Sequence, residues 1–305
     1  MFAQMTLQAF HVEAFSSIPG AGNPAGVVLD AQFLTESEMQ AIAHAAGFNE
    51  TVFILPSDQA DIRFRYFTPG HEVNLCGHAT IAAFVALRTR GLLPAETRTR
   101  ALTFETKAGI LTAAVGTENG QILVEMTQAP ARFEKFAGDR AALAAALGIT
   151  EEDLHPTLPL VYGSTGLWTL VVPVRDLSVI RRMKPSNQDF PGILVEMPGA
   201  SVHPFCLETI DPEAVMHARH FSSPRSGTVE DPVTGTASGV LGAYYREHIH
   251  EAQEEAPLIV EQGQELGRNG RVKVWAIKNG DTYAVRIAGT GCIVGPLNLN
   301  SGIQP

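Results

Sequence analysis

The chain has 305 residues, 45% of them hydrophobic and 18% charged, so it can bury sizeable cores and global disorder is excluded. Its formal net charge of -10 argues against general binding to nucleic acids or anionic membranes, which attract basic surfaces. A chain of this length corresponds to about two domains.

The three cysteines are widely spaced and odd in number: Cys76, Cys206 and Cys292. This pattern argues against a disulfide framework and is typical of a reducing cytosol, so we expect a cytoplasmic protein. The sequence has no apolar run long enough to cross a bilayer, and we expect no membrane partner.

The first half of the chain alternates extended and helical segments. The predicted strands are Leu7–Phe15, Ala25–Leu29, Thr51–Leu55 and Ile62–Phe67. Between the second and third strands, Thr35–Ala46 is a predicted helix. Thr35 and Glu38 have the spacing of a capping box, and Gly47 is a stop signal. After the fourth strand, Ala79–Leu87 is apolar enough for a buried helix.

The second half repeats this order of elements. Arg65–Pro69 is echoed by Arg219–Ser223, and each is followed by a polar loop and a helix start rich in small residues. We interpret the repeat as an internal duplication rather than chance, with a boundary near Ala129–Ala131. The predicted domains are therefore 1–128 and 129–305. Two final strands, Tyr283–Ile287 and Gly291–Val294, are candidates to cross back to the first domain.

Two predicted helix starts have the same character, Gly77–Thr80 and Gly235–Ser238. Backbone N–H groups and the positive dipole end at a helix N-terminus bind anions, and glycine lets an anion approach closely. There is no Gly-Lys-Ser/Thr ending and no G-x-G-x-x-G after the first strand, so a nucleotide cofactor has no support. Two facing halves would place both helix starts in a cleft suited to a small carboxylate.

Four motifs occur in the order expected of one family: Gly22–Val28, Asn49–Phe53, Phe67–Pro69 with Cys76–Thr80, and Glu230–Ala237. By these motifs the chain resembles the PhzF (phenazine-biosynthesis-like) family, which is related to diaminopimelate epimerase and proline racemase. The resemblance extends over nearly the whole chain.

The resemblance implies an α+β, diaminopimelate-epimerase-like fold. Two similar domains would each wrap a mixed β-sheet around a central helix, with the active site in the cleft between them. It also implies a homodimer and a cofactor-independent isomerase that transfers protons on a small carboxylate. The family's prototype isomerises trans-2,3-dihydro-3-hydroxyanthranilate. The alternatives are an amino-acid epimerase or racemase that uses Cys76, and a non-catalytic protein that binds small carboxylates.

The resemblance also implies roles for individual residues. Glu50 corresponds to the acid/base glutamate, His78 to the active-site histidine, and Asp231 to a site aspartate. The substrate-binding positions are Cys76, Gly77, Ala79, Gly235, Thr236 and Gln262. At Thr236 the prototype has serine. Epimerases of the superfamily use one cysteine in each half, but here Thr234 stands opposite Cys76, which puts a two-thiol mechanism in doubt.

Each candidate also has a purely structural interpretation. Glu50 is either a solvated turn residue or a glutamate entering a buried strand, where burial would raise its pKa toward a useful range. His78 is either a capping residue or a proton relay. Asp231 is an N-cap or Asx-turn residue, or it orients His78 across the cleft, or both. We interpret Cys76 as a small pocket-lining residue rather than a nucleophile.

The stretch that contains His71, Glu72, Cys76 and His78 also invites a metal interpretation. It lacks the H-E-x-x-H spacing, and the sequence shows no second ligand cluster to complete a set of three or four. We therefore predict no metal site, and we expect His71 and Glu72 to lie in an exposed loop before the site.

Overall fold

The structure is a computed structural model that describes residues 7–93, 101–224, 226–251 and 256–297. Its contacts divide the chain into two units. The first unit runs to Met126 and resumes at Gly289, and the second is Thr127–Ala288. The sequence predicted a single boundary between residues 128 and 129. The contacts change unit between Met126 and Thr127, and they change again at Gly289, where the chain returns to the first unit.

The first unit is built from strands and two helices. They are β1 (Ala9–Ala14), β2 (Asn23–Val28), α1 (Glu36–Ala46), β3 (Thr51–Leu55), β4 (Ile62–Phe67), β5 (Glu72–Val73), α2 (Gly77–Thr89), β6 (Leu102–Thr106), β7 (Gly109–Glu118) and β8 (Gln121–Thr127). A short 3-10 helix, Ala31–Phe33, precedes α1.

The sheet of the first unit is mixed. Strand β1 pairs antiparallel with β2, β2 parallel with β3, β3 antiparallel with β4, and β4 parallel with β6. Antiparallel pairing continues from β6 to β7 and from β7 to β8, and the short β5 pairs with β4.

Helix α2 is the central helix of this unit. Every residue from His78 to Leu87 is buried, and the helix contacts β1, β2 and β3. Phe84 packs edge-on against Phe64 and Phe104 at centroid distances of 5.1 and 5.6 Å. A helix that is apolar on all sides is stable in water only when it is surrounded, and the sheet supplies those surroundings.

The second unit has more and shorter helices. Its elements are β9 (Arg132–Lys135), α3 (Arg140–Ala146), β10 (Val161–Ser164), β11 (Trp168–Pro173), α4 (Leu177–Arg182), α5 (Phe190–Ile193), β12 (Ser201–Cys206), β13 (Met216–Ala218), α6 (Gly235–His248), β14 (Leu258–Gln262), β15 (Gly270–Asn279) and β16 (Thr282–Pro296). Short 3-10 helices lie at Glu151–Asp153, Asn187–Asp189 and Gln264–Leu266.

The strands of the second unit pair in the same order and sense as those of the first. From β10 to β16 the successive pairings are antiparallel, parallel, antiparallel, parallel, antiparallel and antiparallel. One further antiparallel pairing also has a counterpart. Strand β9 pairs with β10 in the second unit, and in the first unit β1 pairs in the same way with the last part of β16, Gly291–Pro296. This agreement supports the internal duplication.

Helix α6 occupies the same place in the element order as α2, and glycines bring it close to its sheet. A Cβ at Gly242 would lie 2.3 Å from Val274 Cγ1 of β15, and a Cβ at Gly163 of β10 would lie 2.2 Å from Val240 Cγ1 of α6. Larger residues at these glycines would push the helix off the strands.

Several local predictions are confirmed. The Thr35 and Glu38 capping box forms, and Gly47 ends α1 in the left-handed conformation at φ 69°. The predicted helix at Ala79–Leu87 corresponds to α2. The prediction of two separate final strands is wrong, because β16 is one continuous strand from Thr282 to Pro296.

Candidate active site

Glu50 is the residue immediately before β3. The Gly26 N–H of β2 donates to the Glu50 carbonyl over 3.1 Å, and the next residue, Thr51, is paired with Gly26 in the parallel ladder. The Glu50 side chain is 21% exposed. This agrees with a glutamate at the entrance of a buried strand rather than one in a solvated turn.

His78 lies in the first turn of α2 and is 7% exposed. Its Nε2 is 3.3 Å from Glu50 Oε2, and its Nδ1 is 3.4 Å from Cys76 Sγ. The imidazole therefore stands between a carboxylate and a thiol, all within the first unit. Because imidazole can donate from one nitrogen and accept at the other, this arrangement can exchange protons with either neighbour.

The hydroxyl groups of Thr80 and Tyr66 hold the start of α2 in place. Thr80 Oγ1 donates to the Cys76 carbonyl over 2.7 Å and is 2.6 Å from the Tyr66 hydroxyl. Tyr66 is fully buried, and burial raises its pKa well above the ordinary value, so it remains a neutral hydroxyl. These contacts hold Gly77 and Ala79, both predicted site residues, in the first helical turn.

An ion pair ties the loop before α2 to the sheet. Arg65 donates to both carboxylate oxygens of Glu72, each over 2.7 Å, and Lys107 pairs with the same carboxylate. Burial acts to raise the pKa of Glu72, but the two cations outweigh it and lower the pKa. The expectation of an exposed Glu72 is therefore wrong: its side chain is 6% exposed, because Arg65 and Lys107 compensate its charge. His71 is exposed, as expected.

The second unit contains a matching arrangement. Arg219 donates to both oxygens of Glu230, over 2.8 and 2.7 Å, and packs over Phe221 as Arg65 packs over Phe67. In the first turn of α6, Ser238 Oγ donates to the Thr234 carbonyl over 2.9 Å, the counterpart of the Thr80 bond. Gly235 thus begins α6 in the way that Gly77 begins α2.

Asp231, Thr234 and Gln262 form one hydrogen-bonded network before α6. The Thr234 hydroxyl donates to Asp231 Oδ2 over 2.5 Å, and Gln262 Nε2 donates to the Asp231 carbonyl over 2.9 Å. The Thr234 N–H donates to Gln262 Oε1 over 3.2 Å. Thr236, at the second position of α6, accepts at its carbonyl from Thr165 Oγ1 over 2.9 Å.

The structure shows a hydrogen bond of Thr234 that the sequence analysis did not predict. The sequence marked Thr234 only as the residue that replaces a second cysteine. Since its hydroxyl donates to Asp231, it holds that carboxylate rather than acting as a base. The spacing Asp231-x-x-Thr234 was a usable signal, because a hydroxyl three residues on reaches back to a carboxylate in a tight loop.

A second group that sequence reasoning missed is a buried histidine pair beside Asp231. His220 Nδ1 and His203 Nδ1 are 3.1 Å apart, and the His220 carbonyl accepts from the Asp231 N–H over 2.9 Å. Burial lowers the pKa of His220 to about 4, and burial also lowers that of His203. Both imidazoles are therefore neutral near neutral pH. The signal in the sequence is that His220 replaces Tyr66 in the repeated Arg-x-Phe segment.

The predicted site residues therefore gather within each unit. Glu50, Cys76 and His78 meet at the start of α2. Asp231, Gln262 and the start of α6 meet in the second unit. The orientation of His78 by Asp231 stays a prediction. Within the described part of the chain, no helix is both long and apolar enough to pass through a membrane.

Comparison with known proteins shows which proteins the chain resembles. The family model described as "Phenazine biosynthesis-like protein" matches residues 12–295. The "Uncharacterized isomerase YfhB" of Bacillus subtilis (strain 168) is 51% identical over 91% of this chain and 93% of its own length. The trans-2,3-dihydro-3-hydroxyanthranilate isomerase of Pseudomonas aeruginosa is 29% identical over 92% of this chain and 94% of its own length.

Solved structures show the same fold. A PhzF-family phenazine biosynthesis protein of Bacillus anthracis has a TM-score of 0.92 and 52% identity, covering 96% of this chain and 99% of that one. A hydroxyproline epimerase of Agrobacterium vitis has a TM-score of 0.62 at 14% identity, covering 95% and 90%, which shows a likeness of fold alone.

The fold is thus that of the PhzF proteins and of the proline racemases and epimerases. Within this class, the match over nearly the whole chain decides the family. The chain belongs to the phenazine biosynthesis-like (PhzC-PhzF) family, in which relatives carry the name isomerase.

Proposed function

We propose that the protein is an isomerase that moves a proton on a small carboxylate substrate, with Glu50 as the acid/base group. The observation that carries the proposal is the 3.3 Å contact between Glu50 Oε2 and His78 Nε2 at the start of α2. The name of the Pseudomonas aeruginosa relative, a dihydrohydroxyanthranilate isomerase, supports the reaction class.

Glu50 is suited to act as an acid/base group because its backbone is held in place while its side chain stays partly exposed to solvent. Its backbone is held by Gly26, and its side chain is 21% exposed. A carboxylate in this position removes a proton from a carbon activated by conjugation or by a carboxyl group. Glu50, or a relay through His78, then returns a proton at another carbon. This chemistry needs only side-chain acids and bases.

The first turn of α2 provides the site for the substrate's carboxylate. The first N–H groups of a helix have no partner within the helix, and the dipole favours an anion there. In the described part of the chain, no side-chain hydrogen bond caps the start of α2 at Cys76. The backbone at Gly77 and the small Ala79 leave room for an anion beside His78.

The experiment is solvent-deuterium exchange. A set of small carboxylic acids is incubated with the protein in D2O, and mass spectrometry identifies any acid that gains deuterium. With that substrate, Glu50→Gln is expected to lower the exchange rate by about 100- to 10,000-fold, the usual scale for a lost acid/base group. Binding changes much less, because backbone N–H groups hold the carboxylate.

The matched control is Glu134→Gln, which makes the same change on an exposed strand residue and is expected to leave exchange unchanged. Melting curves show that each variant is folded. Full exchange activity in the Glu50→Gln variant contradicts the proposal. If no acid gains deuterium although one binds, the protein is a carboxylate-binding protein instead.

A second candidate function is an epimerase or racemase that uses the Cys76 thiol. It is favoured by one observation, the 3.4 Å contact between Cys76 Sγ and His78 Nδ1, since a neighbouring imidazole can take the thiol proton. The Thr234 contact with Asp231 argues against a second base at that position. An active Glu50→Gln variant together with an inactive Cys76→Ala variant identifies this chemistry.

A further inference from the structure

Although the sequence predicted no metal site, three side chains of the types that bind zinc in other proteins converge in the first unit. The ligand atoms of Glu50, Cys76 and His78 all lie within 4.8 Å of one another, and no other cluster of this kind occurs among the described residues. We propose that these three residues bind Zn²⁺ and that the bound ion inhibits the enzyme. The inhibition, unlike the binding, rests on the proposed function.

The distances suit one tetrahedral ion. With Zn–N and Zn–O bonds of about 2.0–2.2 Å and a Zn–S bond of about 2.3 Å, neighbouring ligand atoms lie about 3.3–3.6 Å apart. His78 Nε2 is 3.3 Å from Glu50 Oε2 and 3.9 Å from Cys76 Sγ. The Cys76 sulfur lies within 4.8 Å of the other two ligand atoms and has to move closer to them when the ion binds.

The chemistry of the ligands selects the metal. A thiolate and a carboxylate together carry the two negative charges that balance a divalent cation. Sulfur and imidazole nitrogen suit Zn²⁺, whereas Mg²⁺ and Ca²⁺ require six or more oxygen ligands. Three protein ligands leave a fourth position for water or for a carboxylate.

The three ligand residues are held in place by the protein without the ion. Glu50 is held by its backbone bond to Gly26, and His78 is buried in the first turn of α2. Cys76 is fixed as the N-cap of the same helix, with its carbonyl bonded to Thr80. Ordered ligands lose little conformational freedom on binding, which favours affinity.

Zinc inhibits the proposed proton transfer because both processes use the same lone pairs of Glu50 and His78. Metal binding requires the thiolate, the carboxylate and a neutral imidazole, and it releases the thiol proton. Once Glu50 and His78 Nε2 donate to the ion, neither can accept a proton from a substrate carbon. Zinc and the proposed proton transfer therefore exclude each other.

The binding is tested with Co²⁺, whose absorption spectrum reports its ligands. Titration of the metal-free protein is expected to produce a thiolate-to-cobalt charge-transfer band and the intense visible bands of a four-coordinate ion. Zn²⁺ should displace the cobalt. Cys76→Ser abolishes the charge-transfer band. The matched control is Cys292→Ser, which removes another half-buried thiol of the first unit and keeps the band.

The other ligands are tested by affinity. Glu50→Gln and His78→Gln are expected to weaken Zn²⁺ binding by about 100-fold or more, since outer-shell changes alone cost about 10- to 100-fold. His44→Gln, a change at an exposed histidine, leaves affinity unchanged. A protein that gives no cobalt band, or a band that survives Cys76→Ser, overturns the metal site.

Inhibition is measured on deuterium exchange with and without Zn²⁺. Exchange is expected to stop at saturating Zn²⁺ and to return when a chelator removes it. Exchange that continues with the site filled, or that requires zinc, overturns the inhibitory role. The cobalt spectrum needs no substrate, so it decides the metal site even if the proposed isomerase function fails.

Discussion

His217 is fully buried in the second unit, and both of its ring nitrogens face carboxylates. Nδ1 is 2.7 Å from Glu261 Oε1, and Nε2 is 3.1 Å from Glu265 Oε1. Glu261 also accepts from two backbone N–H groups and lies 3.3 Å from Arg271 Nη2. A buried charge is tolerated only when it is paired, and here the imidazolium is paired on both sides.

This cluster predicts a pH dependence of stability. Burial acts to lower the pKa of His217, but the bonds to Glu261 and Glu265 outweigh it and raise the pKa. The contribution of a group with a raised pKa is complete below its unfolded pKa of about 6.5 and is lost as pH rises through the folded value. Despite their burial, Glu261 and Glu265 have lowered pKa values, because His217 is their largest favourable partner. Their contribution is lost as pH falls below about 4.5.

We therefore expect the free energy of unfolding of the wild type to fall as pH rises above about 6.5, and to fall less in His217→Gln. Urea unfolding at a series of pH values measures both slopes. His44→Gln, an exposed control, should keep the wild-type slope. Equal slopes in the wild type and His217→Gln would show that the cluster does not control this dependence.

The two central helices, α2 and α6, depend on close packing more than on helix propensity. Gly242 is inside α6, where glycine weakens a helix by about 1 kcal/mol relative to alanine. It is tolerated because a Cβ there would lie 2.3 Å from Val274 Cγ1 and 3.1 Å from its Cβ. Gly192 of α5, by contrast, has nothing within 4 Å of an added Cβ.

Gly242→Ala is expected to destabilise the protein by about 1–3 kcal/mol, the usual cost of overpacking, despite the gain in helix propensity. Gly192→Ala, the control, should be neutral or stabilising by up to about 1 kcal/mol, because only propensity changes. Urea unfolding measures both. A Gly242→Ala variant as stable as the wild type would mean that α6 moves away from β15 at little cost.

The whole molecule contains the same construction twice. Each unit has the same order of parallel and antiparallel pairings, a buried central helix, and an Arg-Glu ion pair before that helix, Arg65 with Glu72 and Arg219 with Glu230. Chance repetition of so many independent features is improbable, so duplication of one unit explains the fold most simply.

At this scale we propose a homodimer, the state that the family resemblance implies. Sedimentation velocity at micromolar concentration is expected to show a single species of twice the chain mass of 32.7 kDa. The expected fraction of dimer falls on dilution according to mass action. A monomer as the only species throughout the micromolar range would contradict this proposal.

The sequence by itself determined the features that depend on neighbours in the chain. The Thr35 and Glu38 cap, the stop at Gly47 and the buried helix after Gly77 all follow from local hydrogen bonding and apolar pattern. The family followed in the same way, because its motifs are short and their order is legible along the chain. The roles of individual residues came from that resemblance and stay proposals.

Only the tertiary structure decided which distant side chains meet. No distance from Glu50 to His78 can be derived from the sequence, because these residues belong to a loop and a helix that are separated by the three strands β3, β4 and β5. The sequence suggested that Glu72 was exposed, because the compensating Arg65 lies on β4 and Lys107 lies in the turn between β6 and β7. It also missed the one continuous β16, whose length is fixed by partners far along the chain. Local preferences are set by a few adjacent residues, whereas burial, ion pairing and strand order depend on contacts that exist only after folding.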